Sequence, residues 1–121
     1  MIGPLFEVIL YVREMDAQLR FYRDTLGLSI SWPDGLADYS AESWVALDAG
    51  GVTLALHSGG EKPAGIPPRF GFKVENIEAS RVQLLDLGVS CSEVRSPAPG
   101  VQVVDCKDPE GNGFFIESTP Y

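Results

Sequence analysis

Apolar and polar positions alternate along residues 5–12, Leu-Phe-Glu-Val-Ile-Leu-Tyr-Val, which predicts a first strand with Glu7, Ile9 and Tyr11 on one face. The period then changes. Leu19, Tyr22 and Leu26 recur at helical spacing between Asp16, a suitable N-cap, and Gly27, a suitable stop, so a helix is expected over 16–26. Alternation returns at 28–32, 43–48 and 52–57, with Pro33-Asp34-Gly35 and Ala49-Gly50-Gly51 as turns and the last two strands forming a hairpin. Residues 58–68, Ser-Gly-Gly-Glu-Lys-Pro-Ala-Gly-Ile-Pro-Pro, exclude helix and central strand and read as a linker.

The same plan follows a second time. A strand at 69–74 precedes Asn76, which caps a helix carrying Ala79, Val82 and Leu85 on one face and ending at Gly88. Strands are expected at 89–94, 101–106 and 114–118, separated by a loop at 96–100 and the turn Asp108-Pro-Glu-Gly-Asn-Gly113. The two stretches match about half a chain apart: Val12 with Val74, Ala17 with Ala79, and Leu26-Gly27 with Leu87-Gly88. The chain therefore reads as one domain over 1–121 made of two βαβββ modules, 1–57 and 69–121. The fold class is α+β, with helices on one face of mixed sheets. A site is expected where the copies face each other.

A chain of 121 residues holds one real core, so neither half buries its apolar face alone. The net charge of −8 disfavours nucleic acid and anionic membranes as partners and mildly favours a neutral or cationic ligand. No apolar run approaches a membrane span, and the N-terminus lacks the basic start and cleavage site of a signal peptide, so a cytoplasmic setting with reduced Cys91 and Cys106 is expected.

The repeat makes Glu7 equivalent to Arg69, and His57 to Glu117. If strands 1 and 4 of each module pair, Glu7 is expected near His57, and Arg69 near Glu117. Trp32 and Trp44 flank a mobile-looking segment, 33–42, and are candidates for stacking on a ligand. Tyr39, Phe70 and Phe72 are candidate lining residues.

The runs Val8-Ile-Leu-Tyr-Val12, Phe21-Tyr-Arg-Asp-Thr-Leu-Gly27, Gly51-Val-Thr-Leu-Ala-Leu-His57, Phe72-Lys-Val74 and Asp108-Pro-Glu-Gly-Asn112 together resemble the vicinal oxygen chelate superfamily. That superfamily groups glyoxalase I, extradiol dioxygenases, and fosfomycin- and bleomycin-resistance proteins. The resemblance implies paired βαβββ modules whose curved sheets form a cleft, assembly as a homodimer, and a small-molecule ligand commonly held with a divalent metal (Zn, Ni, Mn or Fe). Its metal positions fall on strand 1, where Glu7 stands; strand 4, where His57 stands; strand 5, where Arg69 cannot ligate; and strand 8, where Phe115 occupies the acid's usual place with Glu117 two residues on.

Three readings stay open. In the first, the chain binds an organic ligand in an aromatic, acidic cleft lined by Trp32, Trp44, Arg69, Phe72 and Phe115, as in drug sequestration. In the second, Glu7, His57 and Glu117 hold a metal in a glyoxalase-like lyase or isomerase, with Glu7 or Glu117 moving the proton. In the third, the domain is regulatory or structural. An extradiol dioxygenase would want two histidines, and the chain has one.

Overall fold

The computed structural model describes residues 2–67 and 69–120; Met1, the linker's last residue Pro68 and Tyr121 lie outside them. The chain divides into two compact units, Met1–Ala64 and Gly65–Tyr121.

In the first unit, β1 (Glu7–Tyr11), α1 (Met15–Arg20), β2 (Ser29–Trp32), β3 (Trp44–Asp48) and β4 (Thr53–His57) give a sheet of order β1-β4-β3-β2. β1 runs parallel to β4, and the other neighbours are antiparallel. Alternation divides the side chains. Val45, Leu47, Leu54 and Leu56 are buried on one face, where α1 packs against β4 with Met15 and Leu19. Fully burying each such side chain stabilises the fold by roughly 1.5–3 kcal/mol.

Asp16 is not the helix cap. The helix starts one residue earlier behind Glu14, whose side chain makes no capping bond, and Asp16 instead pairs with Arg20 one turn on, at 3.0 Å. Past Arg20 the coil widens into a π-helical turn, Phe21–Thr25, closed by the Leu26 N–H donating to the Phe21 carbonyl at 2.9 Å. This turn buries Phe21 and Tyr22 edge to face, with ring centroids 5.1 Å apart. Gly27 (φ 84°) then reverses the chain into β2.

The second unit repeats the order with one strand more: β5 (Gly71–Lys73), α2 (Ile77–Asp86), β6 (Ser90–Cys91), β7 (Arg95–Ala98), β8 (Val101–Lys107) and β9 (Gly113–Ser118). Its sheet runs β5-β9-β8-β6, with β5 parallel to β9 and β7 also paired to β8. The strand expected at 89–94 is only the pair Ser90–Cys91. Arg95 and the first three residues of the expected loop form β7, whose ladder skips from Arg95–Val103 to Ala98–Val101. Pro97 lies between those two pairs, and an outer strand tolerates its missing N–H.

Asn76 caps α2 as expected, accepting from the Ala79 N–H at 3.0 Å. The buried face is not the expected one, however. Ile77 points inward, whereas Ala79, Val82 and Leu85 are exposed. The helix is too weakly amphipathic for apolar spacing to set its rotation, and packing against β6, β8 and β9 sets it instead. The core on that side is Val104, Cys106, Phe114 and Ile116. The buried Asp108 holds the turn before β9, its carboxylate accepting from the N–H groups of Glu110 and Asn112 and from the Asn112 side chain.

Cys91 and Cys106 are opposite each other in the β6–β8 ladder, Sγ to Sγ 3.8 Å, and both are free thiols. Burial first, then the neighbouring Cys91 and the charge of Asp105, push the Cys106 thiol up to about 12.

Two outcomes follow from this packing. Ile77→Ala is expected to lower stability by about 2–4 kcal/mol and Val82→Ser by under about 0.5 kcal/mol, read from urea midpoints. The reverse order would mean the helix is rotated otherwise. In folded protein at pH 8, Cys106 is expected to resist iodoacetamide and to alkylate once urea is added, as peptide mass spectrometry would show.

Candidate functional site

Register decides which side chains share the face opposite the helix in the first unit. Tyr11 pairs with His57 and His57 with Trp44, so three rings stand side by side across β1, β4 and β3. Their centroids are 5.4 Å (Tyr11–His57) and 5.6 Å (Trp44–His57) apart. Trp32 joins this face from β2, level with Ala46, after a bulge at Ser31; it is 60% exposed. Below the rings lie the paired Ala46 and Ala55, and beyond them Glu7, Thr53 and Asp48. Among strand residues of this face, Glu7 and Asp48 are charged and none is basic.

His57 is held in place. Its Nδ1 lies 3.0 Å from the Ser43 carbonyl, which only accepts, so Nδ1 carries the proton. Gly60 crowds the other side: a Cβ there would stand 3.0 Å from Nε2. The segment 33–42 is pinned rather than loose. Tyr39 is buried, and its hydroxyl donates to the Pro33 carbonyl at 2.8 Å.

The corresponding face of the second unit has a different chemistry. The Asp105 carboxylate sits between two guanidiniums, with Arg69 Nη2 2.6 Å from Oδ1 and Arg95 Nε 2.8 Å from Oδ2. Hydrogen bonds from Arg95, supported by its charge and by Arg69, hold the Asp105 carboxyl below the usual carboxylate range despite its partial burial. The Arg95 guanidinium is correspondingly raised, chiefly by that bond, with the charge of Glu117 a smaller contribution. Arg69 lies over the Phe115 ring, 5.1 Å from its centroid. That ring lies across Gly71, where any Cβ would overlap it.

These placements correct several expectations. Glu7 and His57 are not neighbours. β1 and β4 are parallel with Glu7 opposite Thr53 and Tyr11 opposite His57, so the two lie roughly 13 Å apart along the sheet. Arg69 pairs with Asp105 and not with Glu117, which stands opposite Lys73. Phe72 is on the core face, with its ring 6.0 Å from Phe114 and 6.2 Å from Phe70, because it is one residue out of phase with Phe115. The equivalence of His57 and Glu117 does hold in the backbone: the carbonyl of each accepts from the N–H of the Val after the first strand, Val12 or Val74.

The donor set does not fit the divalent metal that the resemblance implies. Glu7 and His57 are too far apart to share an ion, Thr53 stands where a partner to Glu7 would be needed, Arg69 is cationic and Phe115 apolar. Among the described residues no group of three His, Cys, Asp or Glu side chains is placed to hold one.

Sequence reasoning missed Tyr11 as a ring of the row, and Asp105 and Arg95 altogether. An acid in the apolar run Val101–Cys106 was the available signal for Asp105. Arg95 had none, because it fell at the edge of an expected loop.

The model of the Glyoxalase/Bleomycin resistance protein/Dioxygenase superfamily matches residues 5–116. Among solved structures the chain is similar to SMU.1112c, with a TM-score of 0.78 and 22% identity over 97% of this chain and 99% of that one. It is similar to lactoylglutathione lyase from Agrobacterium tumefaciens, with a TM-score of 0.75 and 20% identity over 98% and 95%. It is also similar to TnmS3, an antibiotic binding protein from Streptomyces sp. CB03234, with a TM-score of 0.75 and 19% identity over 98% and 97%. These likenesses are of fold. No curated protein matches the chain.

Zinc, nickel, manganese or iron(II), added to the purified chain in tenfold excess, is expected to leave the melting temperature unchanged. A rise with any of them that His57→Ala abolishes would show a donor set these positions do not suggest.

Proposed function

The chain belongs to the Glyoxalase/Bleomycin resistance protein/Dioxygenase superfamily, and from that premise we propose that it binds a small organic molecule by stacking, with no metal between protein and ligand. The observation that carries this reading is the row Tyr11–His57–Trp44, with the exposed Trp32 beside it. Neighbouring rings on a sheet, inclined to one another by 60° and 54°, offer apolar area at low conformational cost. Glu7 and Asp48 lie at the far end of the same face, with no basic strand residue there to neutralise them. The ligand class that suits both features is a planar aromatic carrying a positive charge. The antibiotic-binding TnmS3 has the same fold, which supports the reading no further than that.

The role is sequestration rather than turnover. His57 is committed through Nδ1 to Ser43, and Glu7 lies too far along the strands to exchange a proton with it. No observation favours the metal-dependent lyase. The homodimer and the cytoplasmic setting belong to this same proposal.

Titration with a bleomycin-class drug is expected to quench tryptophan fluorescence with a midpoint in the micromolar range, corresponding to about −8 kcal/mol. Trp44→Leu is expected to weaken binding about tenfold, and Glu7→Gln to weaken it and reduce its salt dependence. Unquenched fluorescence at about 100 µM drug, about a hundredfold above that midpoint, would dismiss this ligand class.

A further inference from the structure

The helix-free face of the second unit gathers positive charge that the composition conceals. Arg69, Lys73, Arg95 and Lys107 all belong to it, four of the nine basic residues in a chain of net charge −8. Lys73 and Lys107 are placed there by alternation with Gly71 and Asp105, and Arg95 by its pairing with Val103. The acids of this face are Asp105 and Glu117, so two positive charges are in excess.

The excess is concentrated at one point. Two guanidiniums share the single carboxylate of Asp105, which leaves one charge of that trio without a hydrogen-bonded carboxylate, Glu117 acting on Arg95 only through space. They spend three N–H donors on Asp105, and among the described residues neither makes another hydrogen bond. A guanidinium has five donors in a planar fork that suits carboxylates. The trio is open, with side-chain exposures of 63% for Arg69, 44% for Arg95 and 39% for Asp105. An exposed salt bridge of this kind contributes little to stability. Even so, a second device keeps it in shape. Gly71 has no side chain, the Phe115 ring lies in the space this leaves, and Arg69 lies over that ring. Arg69 therefore presents its donors beside an aromatic surface.

We propose that this face is a binding site for an aromatic monocarboxylate. The carboxylate takes the unused N–H donors of Arg69 and Arg95, and the ring of the ligand packs beside Phe115. A monoanion matches the one charge left over within the trio. A phosphate dianion would place its second charge against Asp105 and Glu117. Its charge is opposite to that of the ring row of the first unit, where the charged strand residues are acidic.

The test is a titration of the 15N-labelled full chain with 2-naphthoate, with its neutral analogue 2-naphthamide, and with inorganic phosphate, at low and moderate salt. Naphthoate is expected to move the Arg69 and Arg95 Nε–H signals and the Phe115 amide in a saturable way. Naphthamide and phosphate are expected to bind at least about tenfold more weakly. Arg69→Gln and Arg95→Gln should each reduce naphthoate affinity about fivefold or more while the remaining amide signals stay in place, which separates loss of the site from loss of the fold. Gly71→Ala should displace Phe115 and weaken naphthoate too. Equal binding of acid and amide would overturn the proposal. So would shifts confined to Tyr11, Trp32 and Trp44, or affinity unchanged in Arg69→Gln. Failure of the drug titration on the first unit would leave it untouched.

Discussion

In each unit the first strand hydrogen-bonds in parallel to the last, and every functional property of the two sheets descends from that pairing. Parallel register places the start of one strand beside the start of the other, so residues at opposite ends cannot meet. Glu7 thus faces Thr53, and Tyr11 faces His57. The same constraint aligns Gly71 with Phe115 and Lys73 with Glu117 in the second unit. An antiparallel pairing would have brought Glu7 to His57 and assembled a different chemistry from the same residues.

Once register is set, alternation sorts side chains into a core face and an open face. The core face is repeated faithfully. Leu54 and Leu56 in β4 correspond to Phe114 and Ile116 in β9, and each pair lies beneath its helix. The open faces have diverged. One carries aromatic rings and two carboxylates, the other an arginine pair around Asp105 with a phenylalanine under one guanidinium. Divergence is tolerated there because exposed polar substitutions cost little stability, whereas the core must be filled.

Geometry also bears on the divalent metal that the resemblance implies, because among the described residues the candidate donors are not brought together. Removing one donor from a chelating set weakens it; here a threonine, an arginine and a phenylalanine stand at the positions in question. Arg69 carries a fixed charge at its position, and a guanidinium needs no coordination shell.

The amino-acid sequence by itself determined the duplication, the order of strands and helix in the first half and, apart from β7, in the second, the Asn76 cap and the glycine stops after both helices. These are local matters, decided by periodicity and by backbone freedom at single residues. It also determined that Glu7, Ile9 and Tyr11 share a face. Only the tertiary structure decided which strand lies against which and in what register, and hence that Glu7 and His57 stand apart, that Phe72 turns inward and that Arg69 finds Asp105. It decided too which side of α2 is buried, since Val82 and Ile77 differ little in character and only the surface they pack against separates them. Partners distant in the chain are chosen by the summed packing of whole sheets, and no window of sequence contains that sum.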